Sequence, residues 1–326
     1  MDDDARDGLL LWTDAPRAGL LRGVAELVER GEGASAVRAV GGPRRSDAVE
    51  LAEALGVEPW DDLRQMLIEH GGRGLLLATT QGVRRDDLEL ASEEGIDVLT
   101  LEPIAGGPGQ VVPQAGVAES RGRLMQAPLM RYSPGYRSAA DPFEALGPIG
   151  SLSITSVGPV EALSLFARLA DAVDLAIALA GLPDQVDAVV CGALREPPEE
   201  LRGLAGHLTA SLNVAGRTGA TLHLCDRVAH QRRAATVVGR EGMLRLTDGG
   251  YRLYMRDAEP LEADEATEGR APTLAALIAH QWRAMARRRA ADPVDRRQVI
   301  ACCQAILLAA RTGQTEHTDK LMRLTP

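Results

Sequence analysis

With 326 residues, 45% of them hydrophobic and 25% charged, the chain is long enough for two ordinary domains with sizeable cores and has the balance of a globular protein. A net charge of −10 opposes attraction to nucleic acid or anionic membrane, and no run approaches the roughly 20 apolar residues that cross a bilayer. The opening MDDDARDG is acidic where a secretory leader is basic, so a cytoplasmic location is expected.

Gly8 to Trp12 predicts a short buried strand, and the helix from Pro16 to Arg30 carries Leu20, Leu21, Val24, Leu27 and Val28 as its inner stripe. In a dinucleotide-binding fold the loop between two such elements is GxGxxG, because glycines let the backbone approach a pyrophosphate at the helix N-terminus. Here it reads Trp12, Thr13, Asp14, Ala15, Pro16, Arg17: no glycine, a bulky indole at the start, and a carboxylate where a diphosphate would sit. That loop argues against ordinary NAD binding. Ala36 to Val40 is the second strand, and Gly41-Gly42 stands where a nucleotide site needs an acid for the ribose hydroxyls. Arg44 and Arg45 suit either a 2′-phosphate or the solvated start of a helix over Asp47 to Leu55.

Leu75 to Thr79 reads as a buried strand and Arg84 to Glu94 as a helix, with Asp86 and Asp87 in its first turn and Gly95 as its stop. Ile96 to Leu101 is a second buried strand, ended by Pro103. Strand, helix, strand with so short a crossover implies parallel strands and a right-handed connection, hence a doubly wound sheet.

The Gly-, Pro- and Gln-rich stretch from Gly106 to Gly116 marks the exit from the first domain, giving expected domains of 1–118 and 119–326. Arg123 to Met130 predicts a strand of the second. From Gln185 onward the pattern is strand after strand: Val186 to Cys191, Thr209 to Val214, Gly219 to Cys225, Arg233 to Gly239 and Met243 to Thr247. Two helices close the chain, Thr273 to Arg289 and Pro293 to Thr312. The fold class is α/β plus α+β: a Rossmann-like, doubly wound parallel sheet, then an open, mostly antiparallel sheet flanked by helices. Cys191, Cys225, Cys302 and Cys303 lack metal spacing and read as reduced core thiols, and the histidines show no HxH or HExxH arrangement. No metal is expected. With no GxSxG elbow and no P-loop lysine, nucleophilic hydrolysis and phosphoryl transfer lack support.

Thr79-Thr80-Gln81, the helix that follows, and Leu101-Glu102-Pro103 resemble the end of the nucleotide-binding domain of the glucose-fructose oxidoreductase / inositol dehydrogenase / rhizopine-catabolism (Gfo/Idh/MocA) family, where the two loops are of Thr-Pro-Asn and Glu-Lys-Pro type. Arg131 to Tyr136, Leu146 to Gly150, the hairpin Gly239 to Leu246 and the close Ala309-Ala310-Arg311-Thr312-Gly313 are similar to later family segments. The resemblance implies NAD(P)-dependent oxidation of a sugar or cyclitol, last helices that pack back towards the first domain, and pairing of subunits through the open sheet. Family functional positions are altered at four places: the glycine loop, the acid after the second strand, Glu102 in place of the lysine, and Ala167 with Asp171 in place of the Asp and His that act on the substrate hydroxyl.

Three readings follow. In the first, the chain has given up hydride transfer and its cofactor, and serves as a structural, regulatory or ligand-sensing subunit beside a second copy or an active paralogue. In the second it is an NAD(P)-dependent oxidoreductase with a rebuilt cofactor loop, in which Thr79, Thr80 and Gln81 meet the nucleotide and Asp171 or Tyr132 replaces histidine. In the third, Glu102 and Asp171 form a paired-carboxylate site of a lyase or hydrolase on a sugar derivative, which requires one carboxyl to be raised towards the working pH.

Overall fold

The computed structural model describes residues 8–30, 35–104, 122–192, 196–256, 263–264, 272–287 and 294–324. The expected linker Gly106 to Gly116 lies outside them. Contacts divide the chain into two compact units. The first holds the described residues of Met1–Ile104, Val112–Pro128 and Thr273–Ala290; the second holds those of Leu129–Pro272 and Ala291–Pro326.

In the first unit, β1 (Leu9–Trp12), α1 (Ala18–Glu29), β2 (Val37–Gly41), α2 (Arg45–Leu55), β3 (Pro59–Trp60), α3 (Leu63–His70), β4 (Gly74–Leu77), α4 (Arg85–Glu93), β5 (Asp97–Thr100) and β6 (Leu124–Gln126) follow one another. All six strands are parallel, in the order β3-β2-β1-β4-β5-β6. β1 and β4 are buried at every position, as expected of a parallel sheet covered on both faces, which is why they read as unbroken leucine runs. Asp62 caps α3 by accepting from the Gln65 amide at 3.0 Å, and Gly56 ends α2 in the left-handed region at φ 68°.

β6 changes the expected boundary. The sequence places Arg123 to Met130 in the second domain, yet Leu124, Met125 and Gln126 pair with Val98, Leu99 and Thr100 of β5. Arg123 reinforces that register, with its Nη2 2.6 Å from Asp97 Oδ2. A three-residue strand has no periodicity to declare which sheet it joins.

The second unit opens with α5 (Pro134–Ser138) and α6 (Ala140–Ala145), then β7 (Ile149–Pro159) and α7 (Leu165–Ala180). β8 (Gln185–Gly192), β9 (Gly206–Val214), β10 (Thr218–Cys225), β11 (Arg227–Gly239), β12 (Gly242–Thr247), β13 (Tyr251–Met255) and β14 (Ala263–Asp264) follow. From the tail, α8 (Leu274–Ala286) belongs to the first unit, whereas α9 (Arg296–Thr312), β15 (Glu316–His317) and α10 (Thr318–Leu324) belong to the second. The sheet order is β14-β13-β12-β11-β7-β10-β9-β8-β15, antiparallel except where β7 meets β10. Strict alternation along β9 shows how it is built: Leu208, Ala210 and Leu212 face the core, while His207, Thr209, Ser211 and Asn213 face out. α7 and α9 cover the inner face, with Leu165, Phe166, Leu169 and Val173 from one and Ile300, Cys303 and Ile306 from the other in a single core.

α8 packs in the first unit because β4 begins with glycine: a Cβ on Gly74 would lie 1.7 Å from the Trp282 ring. Among the cysteines one expectation fails. Cys225, Cys302 and Cys303 are buried, but Cys191 is exposed, because it falls on the outward phase of β8. Among the described residues no helix is long and apolar enough to cross a membrane.

Candidate functional site

In an open parallel sheet, ligands bind outside the carboxyl ends of the strands where the strand order reverses. Here that place is the end of β1, flanked by β2 and β4. Trp12, the last residue of β1, turns its indole into it. The ring is 1% exposed, and a Cβ on Gly41 would lie 2.6 Å from two of its carbons. Its Nε1 donates to the Gln81 carbonyl at 3.0 Å, and a Cβ on Gly82 would lie 3.4 Å away on that side. The indole therefore spans the ends of β1 and β2 and the loop after β4. Gly41, read from sequence as a missing ribose acid, is the seat of the ring.

The start of the next helical segment is filled in the same way. Asp14 accepts from the Arg17 amide at 3.2 Å and from Arg17 Nη1 at 2.7 Å, so a side-chain carboxylate takes the anion position that a helix N-terminus offers. Arg17 Nη2 then reaches Glu102 Oε1 at 2.8 Å. Asp14, Arg17 and Glu102 form one charge chain, with all three side chains at most 15% exposed. Thr79 is buried and its Oγ1 accepts from the Gln81 amide at 3.2 Å, Thr80 is half-buried, and Gln81 is exposed. Arg44 grips Asp47 through Nε at 3.1 Å and Nη2 at 3.0 Å, which gives it the helix-start role, and Arg45 is exposed.

In the second unit, Asp171 sits in the middle of α7, 4% exposed. Its Oδ1 accepts from the Met130 amide at 2.7 Å and its Oδ2 from Arg233 Nη1 at 2.8 Å. Arg233 donates on its other side to Asp248, Nη2 at 2.7 Å and Nε at 3.0 Å. Burial pushes the Asp171 carboxyl up, while the Arg233 charge and the Met130 amide oppose it; the two carboxylates hold Arg233 charged against its own burial. Arg131 and Asp174 make a second buried pair at 2.5 and 2.9 Å, with the Arg131 guanidinium 5.8 Å over the Tyr132 ring. Tyr132 itself is 3% exposed.

Sequence reasoning brought out Asp171 and Tyr132 but missed Arg233, Asp248, Arg131 and Asp174. A signal existed for Arg233: it shares strand parity with the buried Ala235 and Val237, so its side chain had to point inwards. Among the described residues no group of three His, Cys, Asp or Glu side chains is placed to hold a metal ion.

No family model matches this sequence, and no curated protein matches it. Solved structures do. Levoglucosan dehydrogenase in complex with NADH and L-sorbose superposes with a TM-score of 0.75 over 95% of this chain and 98% of that one, at 16% identity. A protein of gentamicin A biosynthesis in complex with NAD gives 0.71 over 96% of each chain at 17% identity. An NAD binding oxidoreductase from Klebsiella pneumoniae gives 0.72 over 96% of this chain and 99% of that one, at 14% identity. The chain thus has the two-unit fold that the sequence resemblance implied.

Proposed function

We propose that this chain is a Gfo/Idh/MocA-type protein in which dinucleotide chemistry has been replaced by self-contained packing, and that it serves as a structural, regulatory or ligand-sensing subunit. The observation that carries this is the Trp12 indole, buried on Gly41 at the strand ends where a nucleoside would otherwise lie. The residues present do not fit a dinucleotide. The ring fills its slot, the Asp14 carboxylate stands at the helix start and would repel a pyrophosphate, and Gly41-Gly42 offer no acid to ribose hydroxyls. Asp171 and Glu102 are each drawn to an arginine, which leaves neither free to move a substrate proton.

The partner we propose is a second copy or an active relative, seated on the outward face of the second sheet. Support comes from its short polar side chains, Ser211, Thr209 and Thr155 among them, and from exposed Val189 and Val238. The test of the main reading is titration with NADH and NADPH followed by nucleotide fluorescence: no saturable binding at micromolar concentration is expected, and clear micromolar binding would falsify it.

The second reading is an NAD(P)-dependent oxidoreductase with a rebuilt loop, favoured by the NADH and NAD in the solved structures of the same fold. It requires Trp12 to leave its slot. Pyridine nucleotide released from purified, denatured protein would support that reading over the first.

A further inference from the structure

Arg168, on α7, is 0% exposed, and its contacts are all neutral: Nη1 donates to Gln231 Oε1 at 2.8 Å and Nη2 to the Pro159 carbonyl at 3.0 Å. Its Nε has no hydrogen-bond partner. Neither has Gln231 Nε2, nor the Oγ of Ser156, which is 2% exposed. Buried polar groups are rarely left unsatisfied, and a buried cation with no anion against it is strongly disfavoured.

The surroundings are built to hold this arrangement. On β11 the pairing with β7 jumps from Arg227↔Pro159 to Arg232↔Val157, so residues 228–231 bulge out opposite Gly158 alone. Such bulges re-aim side chains, and this one brings the Gln231 amide to the guanidinium. Gly158 makes the meeting possible: a Cβ there would fall 2.3 Å from Gln231 Oε1 and 2.6 Å from Arg168 Nη2. Ser156 shares the inward face of β7 two residues earlier, opposite Arg233. The three orphaned groups thus belong to residues placed around the C-terminal end of β7: Arg168 bonds to Pro159 and Gln231, and Ser156 stands two residues before Gly158.

Several charges act on Arg168 without touching it. Asp226 favours its charged form but is engaged by the Gly206 amide at 2.8 Å and by Arg227 Nε at 3.4 Å. Cys225 and Asp171 act in the same direction and Arg233 against it, and burial outweighs them all.

We propose that Arg168, Ser156 and Gln231, framed by the β11 bulge and Gly158, form an internal site for one small monovalent anion, a halide or a single carboxylate group. The guanidinium Nε–H, the amide N–H and the hydroxyl all donate to it, and its charge offsets that of Arg168. The site lies wholly within the second unit and is independent of whether the first binds nucleotide.

Crystals grown without halide and soaked in sodium bromide test it directly, with a parallel soak in sodium formate separating halide from carboxylate. An anomalous bromide peak, or formate density, in contact with Arg168 Nε and Ser156 Oγ is expected; a water and nothing else in both soaks overturns the site. In solution, bromide-NMR line broadening on the whole protein should saturate, and Ser156→Ala should weaken the apparent affinity about tenfold, the effect of one lost hydrogen bond to a charged group. Arg168→Gln should abolish it. If that variant does not fold, Ser156→Ala decides alone, and an affinity equal to wild type refutes the proposal.

Discussion

The strand ends of the first sheet and the arginine cluster under the second handle buried polarity in opposite ways. In the first, an indole and a three-member charge chain occupy the site: Trp12 Nε1 has its carbonyl, Asp14 its amide and guanidinium, and Glu102 the far side of Arg17, whose Nε alone is left over. In the second, charge pairing stops partway. Arg233 spends its donors on Asp171 and Asp248, while Arg168, one helical turn before Asp171, bonds only to neutral groups. A fold can thus pair one buried guanidinium with its own carboxylates and leave another without, and charge pairing separates the two where exposure does not.

The largest expected effect lies in the saturated part of the cluster. Arg233→Met leaves two carboxylates buried without their cation and should cost about 3–5 kcal/mol in urea denaturation. A variant within about 0.5 kcal/mol of wild type, the range of an ordinary surface change, would mean that the Asp171–Arg233–Asp248 pairing adds nothing to stability and the contrast is false. Trp12→Ala comes next. It empties a slot ringed by Gly41, Met66 and Gly82 and should lose about 3 kcal/mol; an unchanged midpoint would show the ring to be solvated rather than packed. The smallest effect sharpens the comparison without altering stability. Burial pushes the Cys302 thiol up to about 12 and raises the Cys303 thiol well above its ordinary value, so a thiol reagent near neutral pH should label the exposed Cys191 quickly and these two only on unfolding. Rapid labelling of three or more thiols would contradict the burial of α9, because only Cys191 and the β10 residue Cys225 lie elsewhere.

Much of the scaffold was legible because its signals are local. Leucine runs at β1 and β4, the Gly95 stop after α4 and the alternation of β9 each declare an element within ten residues. The lack of a glycine loop was legible too, since Trp12 and Asp14 stand where glycines were sought. What the ring does was not, because its seat on Gly41 is 29 positions along the chain and a glycine looks the same whether it admits a ligand or a side chain. The Asp171–Arg233 pair joins residues 62 apart, and no local pattern announces it. The β11 bulge was hidden for a related reason: residues 227–231 carry no turn signal, and only the register with β7 reveals that four of them oppose a single glycine.

One further property follows from where the rings fall. All three tryptophans, Trp12, Trp60 and Trp282, lie in the first unit, and all four tyrosines, Tyr132, Tyr136, Tyr251 and Tyr254, lie in the second. The chain thus carries two spectrally separate reporters, so indole emission and phenol absorbance, followed together through one melt, tell whether the two halves come apart in one cooperative step or in sequence.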